Sequence, residues 1–345
     1  MKHSRVLISY HFGPKAIPLG EQLSRAFERS GMEVYRFDSG VPRSPWDLPR
    51  RLIKSLSKLI GQKKKLARYW EQENEKATAR RFKEAALQFR PDLMLIIRGE
   101  PVDAEVVSEL KQMLGARVVL WWVKTMRWQS LMERDGRVFD AIFTIHPRLA
   151  TDQILHLPAF ALDRERYFPP AERENQWPLL FVGCWSERRQ KYLEEIADLP
   201  LAIIGPNWRK RLGNSHPLQK RIVTDWVADH ALADCYRKAA IVIDIAQIER
   251  QVDEGETMRL ADVPACGAVL VTELSCGVEG YFQPNSIVLF DSPLQLRIAL
   301  EALLSNPGKM AEIAANATVD VQKLPIFEDR VRLIVEKIEF SAQKT

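Results

Sequence analysis

Short apolar runs rich in β-branched residues recur along the chain, each bounded by turn residues and followed by a stretch of helical spacing. In the first half these runs predict strands near Val6–Tyr10, Glu33–Phe37, Leu93–Arg98, Arg117–Val123 and Ala141–Ile145. The intervening spacing predicts helices over Gly20–Ser30, stopped by Gly31, and over Ala67–Phe89, stopped by Pro91. A third runs over Asp103–Leu114, with Asp103 at its cap and Gly115 past its end. The strand runs are continuously apolar rather than alternating, so helices should cover both faces of a parallel sheet.

The pattern breaks between Ala159 and Trp177, where proline and charge dominate, and then restarts. Further strands are expected near Leu179–Gly183, Leu201–Gly205, Arg221–Thr224, Ile241–Ile245, Ala268–Thr272 and Ile287–Phe290. The predicted fold class is therefore α/β, with two doubly wound, Rossmann-like domains facing across a cleft where ligands of such sheets bind. Residues 1–160 form the first domain, 161–178 a linker and 179–326 the second domain. A closing helix over 327–345 is expected to pack back on the first domain.

Composition keeps this picture in water: 46% apolar and 28% charged residues are ordinary for a soluble globular protein. The net charge of +5 is unevenly placed. Residues 41–70 carry nine basic side chains against the single acid Asp47, a charge of +8 that leaves −3 for the rest of the chain. Nucleic acid is not the expected partner, because the footprint is one segment rather than a basic face and no known binding module accompanies it. Within this insertion (42–70), Leu48, Leu52, Ile53, Leu56, Leu59 and Ile60 fall on one side of a helical wheel. Arg50, Arg51, Lys54 and Lys58 fall on the other, with Pro49 in the first turn. A packed helix with a solvated face fits this pattern, and so does attachment of residues 48–68 to an anionic membrane. The four cysteines are scattered without a C-x-x-C pair, so neither a zinc knuckle nor a disulfide framework is expected. No apolar stretch approaches a membrane span and no signal-peptide core is seen, so the expected location is the cytoplasm, including the inner face of the membrane.

Candidate chemistry lies where strands run into helices, because unpaired backbone amides and the helix dipole favour anions there. Phe181 to Arg189 reads as a strand, Gly183 for close approach, Ser186 as a cap, and Arg188 and Arg189 as guanidiniums able to grip a diphosphate. An ordinary capped helix with solvated arginines fits the same residues. After the next strand, Gly205, Asn207 and Trp208 offer an amide and an indole suited to a nucleobase, and equally a plain surface turn. The most informative stretch is Asp253 to Val271: a loop enters a helix at Gly255, Thr257 precedes Arg259, Asp262 stands three residues on, and the helix stops at Pro264 before Cys266-Gly267 and a buried strand.

This order of loop, Thr-x-Arg, acid and Ala-Cys-Gly resembles the donor-site element of GT-B glycosyltransferases, and within them the bacterial enzymes related to the spore-maturation protein CgeB. FVGCWSERR, the strand at Ile203–Gly205 and the run Cys235–Ala240 are similar as well, and the resemblance spans roughly residues 139–335. It implies a GT-B enzyme that moves a sugar from a nucleotide-sugar to an acceptor in bacterial surface glycan assembly. Under that resemblance Gly183, Ser186, Arg188, Arg189, Gly255, Thr257 and Arg259 bind the diphosphate. Gly205, Asn207, Trp208, Tyr236 and Asp262 meet the nucleoside. The family usually has Glu where Asp262 stands, and Trp121–Thr125 departs from its usual aromatic and acidic stretch.

No Asp-x-Asp metal motif is present, so fixed cations and amides are expected to stabilise the leaving diphosphate without a metal, and no cofactor beyond the donor substrate is expected. His11, in the loop after the first strand, is the candidate base from the first domain, or a residue that binds the sugar. Glu254 is a candidate to meet the transferred sugar's hydroxyls. A glycan, a lipid-linked molecule or a polyanion are the acceptors expected. Two other readings stay open: a nucleotide-sugar epimerase of the same fold, and a non-catalytic protein that binds sugar nucleotides or lipid.

Overall fold

The computed structural model describes residues 4–13, 17–40, 63–97, 104–124, 129–247, 257–274 and 278–342. The basic amphipathic stretch Leu48–Ile60 falls outside them, as do Glu254 and Gly255. The described residues gather into two compact units. One draws on Met1–Thr144, Arg148–Leu157 and Arg330–Thr345, the other on Ile145–Pro147 and Pro158–Asp329.

The first unit is built on a parallel sheet of β1 (Arg5–Tyr10), β2 (Glu33–Asp38), β3 (Leu93–Ile97), β4 (Arg117–Trp122), β5 (Ala141–Thr144) and β6 (Ile154–His156), in the order β2-β1-β3-β4-β5-β6. Every residue of β3 is buried, as continuous apolar runs require. Among its helices are α1 (Leu19–Arg29), α2 (Lys63–Phe89), α3 (Ala104–Leu114) and α4 (Gln129–Asp135). Leu19, Leu23, Ala26 and Phe27 of α1 are buried, an i, i+4, i+7, i+8 stripe on one face. The helix stops where Gly31 adopts φ +83°, a left-handed conformation that costs glycine little. Strand β6 escapes sequence reading because three residues between polar neighbours carry too little apolar signal. It is nonetheless paired to β5 through Ile142 and Ile154.

The second unit repeats the scheme with β7 (Trp177–Val182), β8 (Leu201–Ile204), β9 (Ile222–Thr224), β10 (Ala239–Asp244), β11 (Val269–Glu273) and β12 (Val288–Phe290), ordered β12-β11-β10-β7-β8-β9 and parallel throughout. Its helices include α5 (Glu187–Glu194), α6 (Trp208–Arg211), α7 (Asp229–Arg237), α8 (Arg259–Ala265), α9 (Pro293–Leu304) and α10 (Pro307–Val321). The two-residue period of the strands sorts their side chains into two cores. Leu180, Ala202, Val242 and Leu270 enter one, while Leu179, Phe181, Ile203, Ile241 and Val271 enter the other. Each fully buried residue of this kind contributes about 1.5–3 kcal/mol through removal from water.

Two expectations change. The proline-rich stretch expected as a linker supplies core residues: Phe160, Leu162 and Tyr167 are buried in the second unit, and the Leu162 N–H donates to the carbonyl of Pro325 at 2.9 Å. Proline and charge mark irregular backbone there, not exposure. Pro264 also sits inside the last turn of α8 rather than ending it. The closing helix α11 (Phe327–Ala342) carries buried Val331, Ile334 and Ile338, and from Arg330 onward it groups with the first unit.

Candidate functional site

Strand order reverses between β7 and β10, so their carboxyl ends flank the place where parallel α/β sheets hold ligands. The loops there lie in direct backbone contact. A side chain at Gly205 would put its Cβ 1.8 Å from the carbonyl oxygen of Gly183, so only glycine fits. The Gly183 N–H donates to the Ile204 carbonyl at 2.8 Å, and the Trp185 N–H donates to that of Pro206 at 3.0 Å. Ser186 is extended and caps α5, accepting the Arg189 N–H at 3.2 Å as its sequence position predicts. Asn207 is exposed and left-handed at φ 73°, a conformation asparagine tolerates.

Three arginines meet three consecutive residues at the exit of β10. Arg259, from α8, donates through Nη1 to Asp244 Oδ1 at 2.9 Å and through Nη2 to the carbonyl of Val182. Arg189 donates through Nε to the Ile245 carbonyl at 2.9 Å and through Nη1 to the Cys184 carbonyl at 3.0 Å. Arg188 donates to the Ala246 carbonyl at 3.1 Å and to the Tyr192 hydroxyl at 3.1 Å, and pairs both nitrogens of its fork with Glu273 at the end of β11. Asp244 and Glu273 are almost fully buried, and the second oxygen of Asp244 accepts the Thr272 hydroxyl at 3.0 Å. Burial, the largest single influence, depresses the Arg259 guanidinium, but Asp244, Tyr236 and Asp262 together outweigh it and hold its pKa above the ordinary arginine value. Arg189 has no such carboxylate bonded to it, and burial lowers its pKa. These five groups sum to one positive charge, held rigidly at the ends of β7, β10 and β11. Thr257 belongs to the cluster, its hydroxyl oxygen accepting from Arg259 Nη1 at 3.3 Å.

The residues expected at the nucleoside are placed differently. Trp208 is fully buried, edge-on to Phe181, and donates its indole N–H to the Gly183 carbonyl at 2.8 Å, so it offers no ring face to a base. Tyr236 and Asp262 are likewise interior, at 2% exposure each. The structure does bring Asp262 and Tyr236 close to Arg259, but beneath the helix. Burial first, and then the neighbouring Asp163, push the Asp262 carboxyl well above the usual carboxylate range. Burial does the same to the hydroxyls of Tyr236 and Tyr167.

In the first unit, His11 follows β1 and is half-buried. Its Nδ1 lies 3.3 Å from Asp38 Oδ1 at the end of β2, and the same oxygen accepts the N–H groups of Phe12 at 3.1 Å and Gly40 at 2.9 Å. Gly13 and Gly40 wall the ring: a Cβ at Gly40 would fall 1.6 Å from Nδ1. Asp38, Asp244 and Glu273 were not singled out in the sequence. Each is an acid at the carboxyl end of a strand, and for Asp244 and Glu273 that strand is a buried apolar run. Among the described residues no group of three or more His, Cys, Asp or Glu side chains is arranged to hold a metal ion, and no helix is long and apolar enough to cross a membrane.

Residues 188–336 match a family model described as "Glycosyl transferase-like", a span that begins at Arg188 and contains Asp244, Arg259, Asp262 and Glu273. No curated protein matches the chain. Similar solved structures include the sucrose-phosphate synthase tll1590 of Thermosynechococcus elongatus, at 14% identity and TM-score 0.68 over 99% of this chain and 100% of that one. Anabaena HepE (Alr3699), solved with UDP and glucose, is similar at 10% identity and TM-score 0.67 over 97% and 100%. A UDP-N-acetylglucosamine 2-epimerase is similar at 9% identity and TM-score 0.53 over 91% of each chain. The fold is thus GT-B, built on two Rossmann-like units with parallel six-stranded sheets.

Proposed function

We propose that the chain is a glycosyltransferase that takes a sugar from a nucleotide-sugar donor, with the donor diphosphate at the carboxyl ends of β7 and β10. The observation that carries this reading is the triad of arginines around Asp244, Ile245 and Ala246 at the strand-order reversal. The family match over the same residues and the fold shared with a protein crystallised with UDP and glucose support it. Breaking the anomeric bond places negative charge on the departing nucleoside diphosphate, and fixed guanidiniums next to it favour that charge without a metal ion. Arg259, aimed by Asp244 and flanked by the Thr257 hydroxyl, is the group assigned to that charge.

His11, oriented by Asp38, is the candidate base or sugar ligand contributed by the first unit, with its Nε2 left to act. Glu254 keeps its assignment to the sugar hydroxyls. A bacterial surface glycan as acceptor and the narrower kinship with CgeB-related enzymes belong to this same reading.

The test is transfer from, or hydrolysis of, a panel of nucleotide-sugars. Wild-type protein should release a nucleoside diphosphate, and Arg259→Ala should lower kcat/KM by about 10²-fold or more. An epimerase would instead interconvert the donor sugar with no release of nucleotide. Absence of any thermal stabilisation by nucleoside diphosphates would refute the donor site itself.

A further inference from the structure

A second run of positive charge lies in the described structure. Residues 208–224 hold five basic side chains, Arg209, Lys210, Arg211, Lys220 and Arg221, and no acid. Helix α6 and a 3₁₀ turn at Pro217–Arg221 bring two of them together. Arg209, Asn214, Gln219 and Lys220 line an open cavity of about 390 Å³, within the range of ~300–1,000 Å³ typical of small-molecule sites.

The walls of this cavity are fixed from beneath. Trp208 anchors α6 in the core, and Arg209 Nη2 donates to the Ile222 carbonyl at 2.7 Å. The Gln219 amide donates to the carbonyls of Leu212 at 3.3 Å and Arg209 at 3.4 Å. His216 caps the 3₁₀ turn, accepting the Leu218 N–H at 3.2 Å, and its other ring nitrogen meets Glu194 at 2.9 Å. Arg221 turns away to the Ala197 carbonyl. Lys220 and Asn214 carry no hydrogen bond or ion pair among the described residues, so their donors are unspent. Asp225, exposed, pairs with Arg209 Nε at 3.8 Å.

A solvated basic surface needs none of this. Here a guanidinium and an ammonium eleven residues apart are brought to one cavity, with two amides beside them and no carboxylate in the lining. Such a lining disfavours cations. It suits a tetrahedral oxyanion, which accepts from Arg209 Nη1, the guanidinium nitrogen not engaged by Ile222, Val223 or Asp225, and from the point charge of Lys220 at once. We infer that this cavity binds the phosphate group of a phosphorylated ligand. None of the four lining residues belongs to the arginine cluster at β10, and the inference does not depend on what that cluster binds.

The experiment is titration of the full chain with inorganic phosphate by calorimetry at fixed ionic strength, with chloride as the control anion. Lys220→Glu and Asn214→Asp alter side chains that hold nothing together, so both variants should fold. Each is expected to weaken about tenfold or more the phosphate binding that Arg259→Ala leaves in place. Equal phosphate affinity in wild type and Lys220→Glu overturns the inference, and so does binding that is lost in Arg259→Ala but kept in Lys220→Glu. Flotation with phosphatidylglycerol vesicles separates the sources of the phosphate. A lipid headgroup gives flotation that drops in Lys220→Glu. A soluble phosphorylated ligand gives equal flotation with the phosphate affinity still lost in the variant. Failure of the glycosyltransferase reading would appear as no nucleoside diphosphate binding, with the phosphate titration intact.

Discussion

Asp244 decides how the candidate site is built, although it binds no ligand in the proposed scheme. It is 2% exposed and bonded to Arg259 on one oxygen and Thr272 on the other, so Asp244→Ala leaves a buried guanidinium uncompensated. Loss of one partner of a buried pair costs about 3–5 kcal/mol, and chemical denaturation should show Asp244→Ala destabilised by that order. Asp262 makes the opposite case, an acid whose interior position keeps it protonated when the unfolded chain would ionise it. The folded state then holds more protons than the unfolded one, so stability falls as pH rises from the ordinary carboxylate value toward the raised one. Asp262→Asn removes that dependence, and its urea midpoint relative to wild type should rise as pH is raised above the ordinary carboxylate range. At this scale the sequence was a partial guide. Ser186, Thr257 and Arg259 were legible because caps and helix starts follow local spacing. Trp208, Tyr236 and Asp262 were placed at a ligand when they are interior, because spacing gives the side of a helix a residue occupies but not which layer covers that side. Glu273 and Asp244 stayed hidden because their role depends on neighbours far along the chain.

Among the elements, the strand-to-helix junctions carry the design. The loops after β7 and β8 touch backbone to backbone at Gly183 and Gly205, which brings α5 and α6 into register over the site. Gly205→Ala forces those loops apart, because the atom in the way is a carbonyl oxygen rather than the tip of a flexible side chain. Overpacking of this kind costs about 1–3 kcal/mol, and the variant should show that loss in denaturant together with a raised KM for the donor. Strand positions were readable from the sequence to within one or two residues, because continuous apolar runs between turn residues admit few alternatives. Strand β6 was missed for its brevity. The stretch expected as a linker was misjudged because its prolines and charges outweighed a short apolar run, Ala159 to Leu162, whose four consecutive residues are all buried.

For the whole molecule, net charge conceals more than it conveys. The total of +5 comprises +8 over residues 41–70, +5 over residues 208–224 and −8 over the remainder. The second stretch was masked in the sequence by the first, and only folding brings Arg209 and Lys220 to one cavity. The chain is also not divided into units in simple succession, since the first unit takes residues from both sides of the second. A chain ending at Asp329 lacks buried Val331, Ile334 and Ile338, so limited proteolysis should cut it within the first unit well before the second. The return of α11 also sets a timetable for synthesis on the ribosome. Residues 158–329 have all been made while the first sheet still lacks the helix that completes its unit, so the later-encoded unit can mature first and the earlier one must wait, partly unsealed, for the chain to come back to it.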